Sequence, residues 1–267
     1  MSDVSTIERL LRRDRAIVLA ALMAIGSLSV AYTVFSLGMN MSAGDKTAMS
    51  GEMLMAAAAW TPAYAVLVFL MWWIMMIAMM LPSAAPVLLL YAALKRRRRD
   101  IADPMLMIAL FLSGYLAVWA LFSLLATALQ WMLQFTKMVS GSLTLSSNVL
   151  GIAIVLAAAA YQFSPLKQAC LKQCQQPARF IAGSQGTGQV GALRLGVRHG
   201  TYCVGCCGVL MLLLFFGGVM NLYWIAGLGV YVLLEKLLPQ GRWLSFAAGV
   251  GLFAVGVKLV VSLMLSQ

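Results

Sequence analysis

Long apolar runs constrain this chain more than any other feature. The stretches 16–37, 104–129, 201–219 and 243–265 contain one charged residue between them, Lys258. Each is close to or above the roughly 20 apolar residues that a helix needs to cross a bilayer. A backbone in lipid must satisfy its own hydrogen bonds, so such runs fold as helices. Of the 267 residues, 63% are hydrophobic and 10% charged, whereas soluble domains carry about a quarter charged residues. These observations predict an all-α fold, a polytopic transmembrane helical bundle of about seven spans (six being the alternative), forming one domain over 1–267.

The expected spans are 16–37, 64–81 with an extension to Leu94, 104–129, 148–163, 201–219, 221–238 and 243–265. Pro82 and Pro86 predict a kink or break near the end of the second. The connection Gly217-Gly218-Val219-Met220-Asn221 predicts a tight hairpin with Asn221 as its turn or cap residue. The first apolar run is too long for a signal-peptide core and no small-residue cleavage site follows it, so it is expected to remain as a span.

The net charge of +11 is distributed in clusters between the apolar runs. With the N-terminus inside and seven spans, 16 Lys and Arg fall on the cytoplasmic side, and only Lys46 and Lys137 on the other. This asymmetry predicts a multi-pass inner-membrane protein with a cytoplasmic N-terminus and a periplasmic C-terminus. The partner implied is the lipid bilayer, together with other membrane or metal-handling proteins. No nucleic-acid recognition module is visible, so the basic charge is read as a topology signal. The polar stretch 164–200 is expected to be a cytoplasmic loop bearing a short amphipathic helix. Ser164 and Pro165 provide a helix start and Pro177 a stop.

All five cysteines lie between residues 170 and 207. Cys170 and Cys174 are four apart, on one face of the expected short helix. Cys203, Cys206 and Cys207 open the fifth expected span, and His199, the only histidine, precedes Cys203 by four residues. The cytosol disfavours structural disulfides. Reduced thiols with an imidazole suit a soft or borderline ion, Cu(I) in the first place and Zn(II) in the second. Five thiols exceed one tetrahedral site, so one is spare or two sites share ligands. The alternatives are cysteines used as small apolar packers, and thiol redox chemistry at the Cys203-Val204-Gly205-Cys206 CxxC.

Met71, Met75 and Met79 form a ridge at four-residue steps in the second span. Met75 and Met79 are therefore weaker candidates for Cu(I), against the alternative that they pack. Glu235 is another weak candidate: a metal ligand, a proton-linked group, or half of a charge pair. No Walker A loop, phosphorylated-aspartate motif, catalytic triad or di-iron carboxylate cluster is present. Nothing in the sequence marks an enzyme.

Several of these motifs together resemble a bacterial domain-of-unknown-function family described as predicted metal-binding integral membrane proteins. The residues that carry the resemblance are Ala78-Met79-Met80-Leu81-Pro82-Ser83-Ala84-Ala85-Pro86, Tyr161-Gln162 with Ser164-Pro165-Leu166-Lys167, Cys170-Leu171 with Cys174, Gly200 to Cys207, Gly218 to Leu222, and Glu235-Lys236. They spread over most of the chain after residue 60, and the cysteine block is the most specific. The resemblance implies metal binding and leaves open the metal and what is done with it. The reading is a metal-binding membrane protein with a Cys/His site at the cytoplasmic face, handling or transporting Cu(I). A thiol-redox protein and an accessory subunit of a membrane complex are the alternatives.

Overall fold

The computed structural model describes residues 60–97, 104–136, 148–183, 188–238 and 240–265. The expected span at 16–37 lies outside the described residues. Every regular element within them is a helix: α1 (Pro62–Arg97), α2 (Pro104–Phe135), α3 (Asn148–Gln162), α4 (Pro165–Gln175), α5 (Pro177–Ala182), α6 (Gly188–Met211), α7 (Leu213–Gly217), α8 (Leu222–Leu237) and α9 (Gly241–Leu265).

Four stretches are long and apolar enough to cross a membrane: Pro62–Lys95, Pro104–Phe135, Gly188–Gly217 and Gly241–Leu265. A fifth is reached if α3 and α4, bent by 63° at their junction, count as one broken span. The all-α class stands, but the described residues do not support seven spans. The reason is length: α3 has 15 residues and α8 has 16, and at about 1.5 Å per residue neither alone traverses a hydrocarbon core about 30 Å thick.

The stretch 164–200 is mostly helical rather than a loop. The Ser164 hydroxyl accepts a hydrogen bond from the Leu166 amide, and Pro165 follows at the first helical position of α4. Helix α4 ends at Gln175, as the expected stop at Pro177 predicts, and Pro177 then opens a second short helix, α5. Helix α6 then starts at Gly188, not at the expected Thr201. Its early turns contain Arg194 and Arg198, which hide the helix from a search for apolar runs. The buried positions are Ala192, Leu195, Gly196, His199, Gly200 and Cys203, the spacing of one helical face.

That face packs on α2 at very short range. A β-carbon on Gly196 would lie 2.0 Å from the Phe111 carbonyl oxygen, and one on Gly114 would lie 2.5 Å from that of Leu193. Small residues let the two backbones meet, as membrane helices commonly do.

Helix α1 runs unbroken through Pro82 and Pro86. Near the first proline, the Met80 carbonyl accepts hydrogen bonds from the Ser83 hydroxyl at 2.8 Å and the Tyr115 hydroxyl at 3.2 Å. The α7–α8 turn is tight: Gly218 has φ of 91°, and Asn221 caps α8 by accepting from the Trp224 amide. The Trp224 indole donates to the Leu213 carbonyl at 2.8 Å across the turn.

Candidate metal centre

Helices α1, α2, α4, α6 and α8 bring a sulfur cluster together inside the bundle. The three thiols of α6, Cys203, Cys206 and Cys207, are at most 1% exposed. They lie well inside α6, since that helix begins fifteen residues before Cys203 by number. The expectation that they sit at the start of a span is therefore corrected. All five cysteines are buried free thiols.

The sulfurs converge in pairs. Cys174 Sγ on α4 and Cys206 Sγ on α6 are 4.0 Å apart. Cys207 Sγ lies 3.6 Å from Met80 Sδ on α1. The Cys206 and Cys207 thiols also contact the Cys203 carbonyl oxygen, at 3.1 and 2.9 Å. Cys203 Sγ faces a different neighbourhood, with Lys236 Nζ at 2.9 Å and Tyr115 Oη at 3.3 Å. Cys170 packs against Gly205, where an added β-carbon would meet its sulfur at 2.7 Å. The Tyr161 hydroxyl donates to the carbonyl of the same glycine, joining α3 to the cluster.

Among the described residues, no group of three or more His, Cys, Asp or Glu side chains is arranged to hold a metal ion. The pairs have a different capacity. The Cys174 and Cys206 sulfurs, 4.0 Å apart on two helices, would be able to hold one soft ion between them. This donor set of thiolates and a thioether suits Cu(I), which accepts few and soft ligands. It suits tetrahedral Zn(II) less well.

The remaining sequence candidates have other principal contacts. His199 is one turn before Cys203, yet its ring sits among aromatic rings, with centroids 5.6 Å from Tyr115, 5.2 Å from Phe180 and 6.0 Å from Phe111. Its Nδ1 is buried with no hydrogen-bond partner among the described residues. Met75 and Met79 line an apolar cavity of about 230 Å³ with Pro82 and, from α8, Ile225 and Gly229. The methionine that reaches a thiol is Met80, one residue along and thus about 100° further round the helix.

Glu235 is engaged elsewhere. Its Oε1 lies 2.6 Å from Lys167 Nζ and accepts from the Tyr231 and Ser245 hydroxyls at 2.9 and 2.5 Å. Lys167 also donates to Gln162. Lys167, Glu235 and Lys236 are all buried. Two of the lysines assigned to the cytoplasmic side by charge counting therefore face the protein interior.

Lys236, Ser83, Tyr115 and Met80 were not singled out as site residues from sequence. The available signal was weak. Lys236 follows Glu235 directly, and a pair of adjacent opposite charges in an apolar helix points them in different directions.

The family model PpoB2, described as a copper chaperone, matches residues 69–259. No curated protein matches the chain, and no solved structure does. The matched range spans the helices that contribute the buried sulfurs.

Proposed function

The chain belongs to the PpoB2 copper chaperone family, and on that premise we propose that it is an integral membrane protein that carries Cu(I) in its buried sulfur cluster. Cys174 and Cys206 are the primary ligands, with Cys207 and Met80 as an adjoining pair that receives or releases the ion. Cys203 and Cys170 complete the thiol surroundings. Cu(I) is cargo, so the site must hold it firmly yet release it, and a low ligand count serves both needs. A two-sulfur site lets an incoming ligand attack the ion without first displacing a full coordination shell.

The observation that carries this reading is the 4.0 Å separation of Cys174 and Cys206 across two helices. Membrane insertion is supported by the four long apolar helices. It is also supported by outward-facing Leu67, Leu121, Leu125, Phe253 and Val261 on three of them, since exposed apolar surface of this extent is unusual for a soluble monomer. The charge asymmetry of the sequence favours an inner-membrane orientation with the N-terminus in the cytoplasm.

The test is copper analysis of the purified protein after loading with Cu(I) under reducing conditions. Wild type should retain copper. A Cys174→Ser/Cys206→Ser variant of similar folded yield should lose most of it. Equal retention in both would sink the reading.

A thiol-redox role is the second reading, and the same pair is its best basis. A disulfide would need Cys174 and Cys206 to close from 4.0 Å to about 2.05 Å. Mass-tagging of thiols after mild oxidation separates the two: a Cys174–Cys206 disulfide that cycles with an added dithiol, in a protein that takes up no Cu(I), favours redox chemistry.

A further inference from the structure

Among the described residues, Glu235 is the only acidic side chain, and Lys167 takes it. A second buried ammonium, that of Lys236, has no carboxylate. Its Nζ lies 2.9 Å from Cys203 Sγ and 3.2 Å from Ser83 Oγ. Cys203 shares one turn of α6 with Cys206 and Cys207, so the ammonium stands beside the thiol cluster. A buried cation is tolerated only when paired with an anion. In this neighbourhood the groups most readily made anionic are the sulfurs, a thiol being a stronger acid than the Tyr115 phenol.

We infer that Lys236 is the fixed counter-charge of the sulfur site and makes the site selective for a soft monovalent ion over a soft divalent one. This rests on the copper-carrying reading above and deepens it. Two thiolates, one ammonium and a monovalent ion sum to zero. The same set around a divalent ion leaves one uncompensated positive charge in a low-dielectric interior. A third thiolate would neutralise the divalent ion, but among the described residues no three thiols are arranged to hold one ion. Selectivity therefore comes from a residue that is not itself a ligand. Lys236 can act this way because Glu235, its neighbour in sequence, points about 100° away round α8 and is held by Lys167 and Ser245. Were that carboxylate free to meet Lys236, the counter-charge would be cancelled.

The experiment uses Ag(I) and Cd(II), two soft ions with the same closed-shell electron configuration and different charge, in competition on the purified full chain. Wild type, Lys236→Met and Lys236→Arg are compared. Wild type should prefer Ag(I). Lys236→Met should lower the Ag(I)-to-Cd(II) affinity ratio by at least about tenfold, the scale expected for one charge within a few ångströms. Lys236→Arg, which keeps the charge, should retain most of the preference. An unchanged ratio in Lys236→Met overturns the counter-charge and leaves the sulfur site standing. Failure of wild type to bind Ag(I) at all overturns the sulfur site itself, and this inference with it. If Lys236→Met does not fold, Lys236→Gln takes its place. Should neither fold, wild type alone decides, because Cd(II) bound as tightly as Ag(I) overturns the inference.

Discussion

Lys167 Nζ on α4 and Glu235 Oε1 on α8 lie 2.6 Å apart, and both side chains are completely shielded from solvent. Removing one member leaves the other as an unpaired buried charge. Lys167→Met or Glu235→Gln should each destabilise the protein by about 3–5 kcal/mol. A Lys167→Met/Glu235→Leu double variant should be less destabilised than the sum of the two singles, because it buries no orphan charge. Thermal unfolding of detergent-solubilised protein checks this.

Met80 and Met79 are neighbours in sequence with different surroundings. Met80 Sδ faces Cys207 at 3.6 Å, whereas Met79 lines the apolar cavity. Replacing either by Leu conserves volume and should cost less than about 1.5 kcal/mol. Met80→Leu should nevertheless speed the loss of bound Cu(I) to a chelator severalfold, and Met79→Leu should not. Equal release rates would remove Met80 from the site.

His199 lies among Phe111, Tyr115 and Phe180, and its Nδ1 has no hydrogen-bond partner among the described residues. A buried polar atom left unpaired costs about 1–3 kcal/mol. His199→Phe is therefore expected to leave copper stoichiometry unchanged and to keep or raise the unfolding temperature. Copper loss with intact folding would show instead that the imidazole is a ligand.

Gly196 meets the Phe111 carbonyl so closely that a β-carbon there would be 2.0 Å from the oxygen. Gly196→Ala must push α2 and α6 apart, and backbone cannot yield as a flexible side chain can. A loss of about 1–3 kcal/mol or more is expected, read as a lower unfolding temperature. Gly251→Ala is the control, since a β-carbon there meets nothing within 4 Å. Its effect on unfolding should be small by comparison.

The sequence carried the helical class well, because apolar runs have no other way to satisfy their backbone in lipid. It overcounted the spans because hydropathy registers how apolar a segment is and not where its helix bends or ends. The 15-residue α3 and the 16-residue α8 were both read as full spans. It also placed the start of α6 at the first uninterrupted apolar run. Arg194 and Arg198 occupy the exposed side of that helix, and the buried side becomes visible only once α2 is there to pack on it.

The sequence by itself determined that this chain is helical and apolar and that its thiols are confined to residues 170–207. Those are properties of composition and local spacing. Which groups meet was decided by the tertiary structure alone. Cys174 faces Cys206, Cys207 faces Met80, and Lys236 faces Cys203, each across separate helices. His199 shares a helix with three of the thiols, and its ring packs among Phe111, Tyr115 and Phe180. A side chain's direction turns about 100° with each residue of a helix, so one position decides between neighbouring environments, and only packed helices say what each environment is.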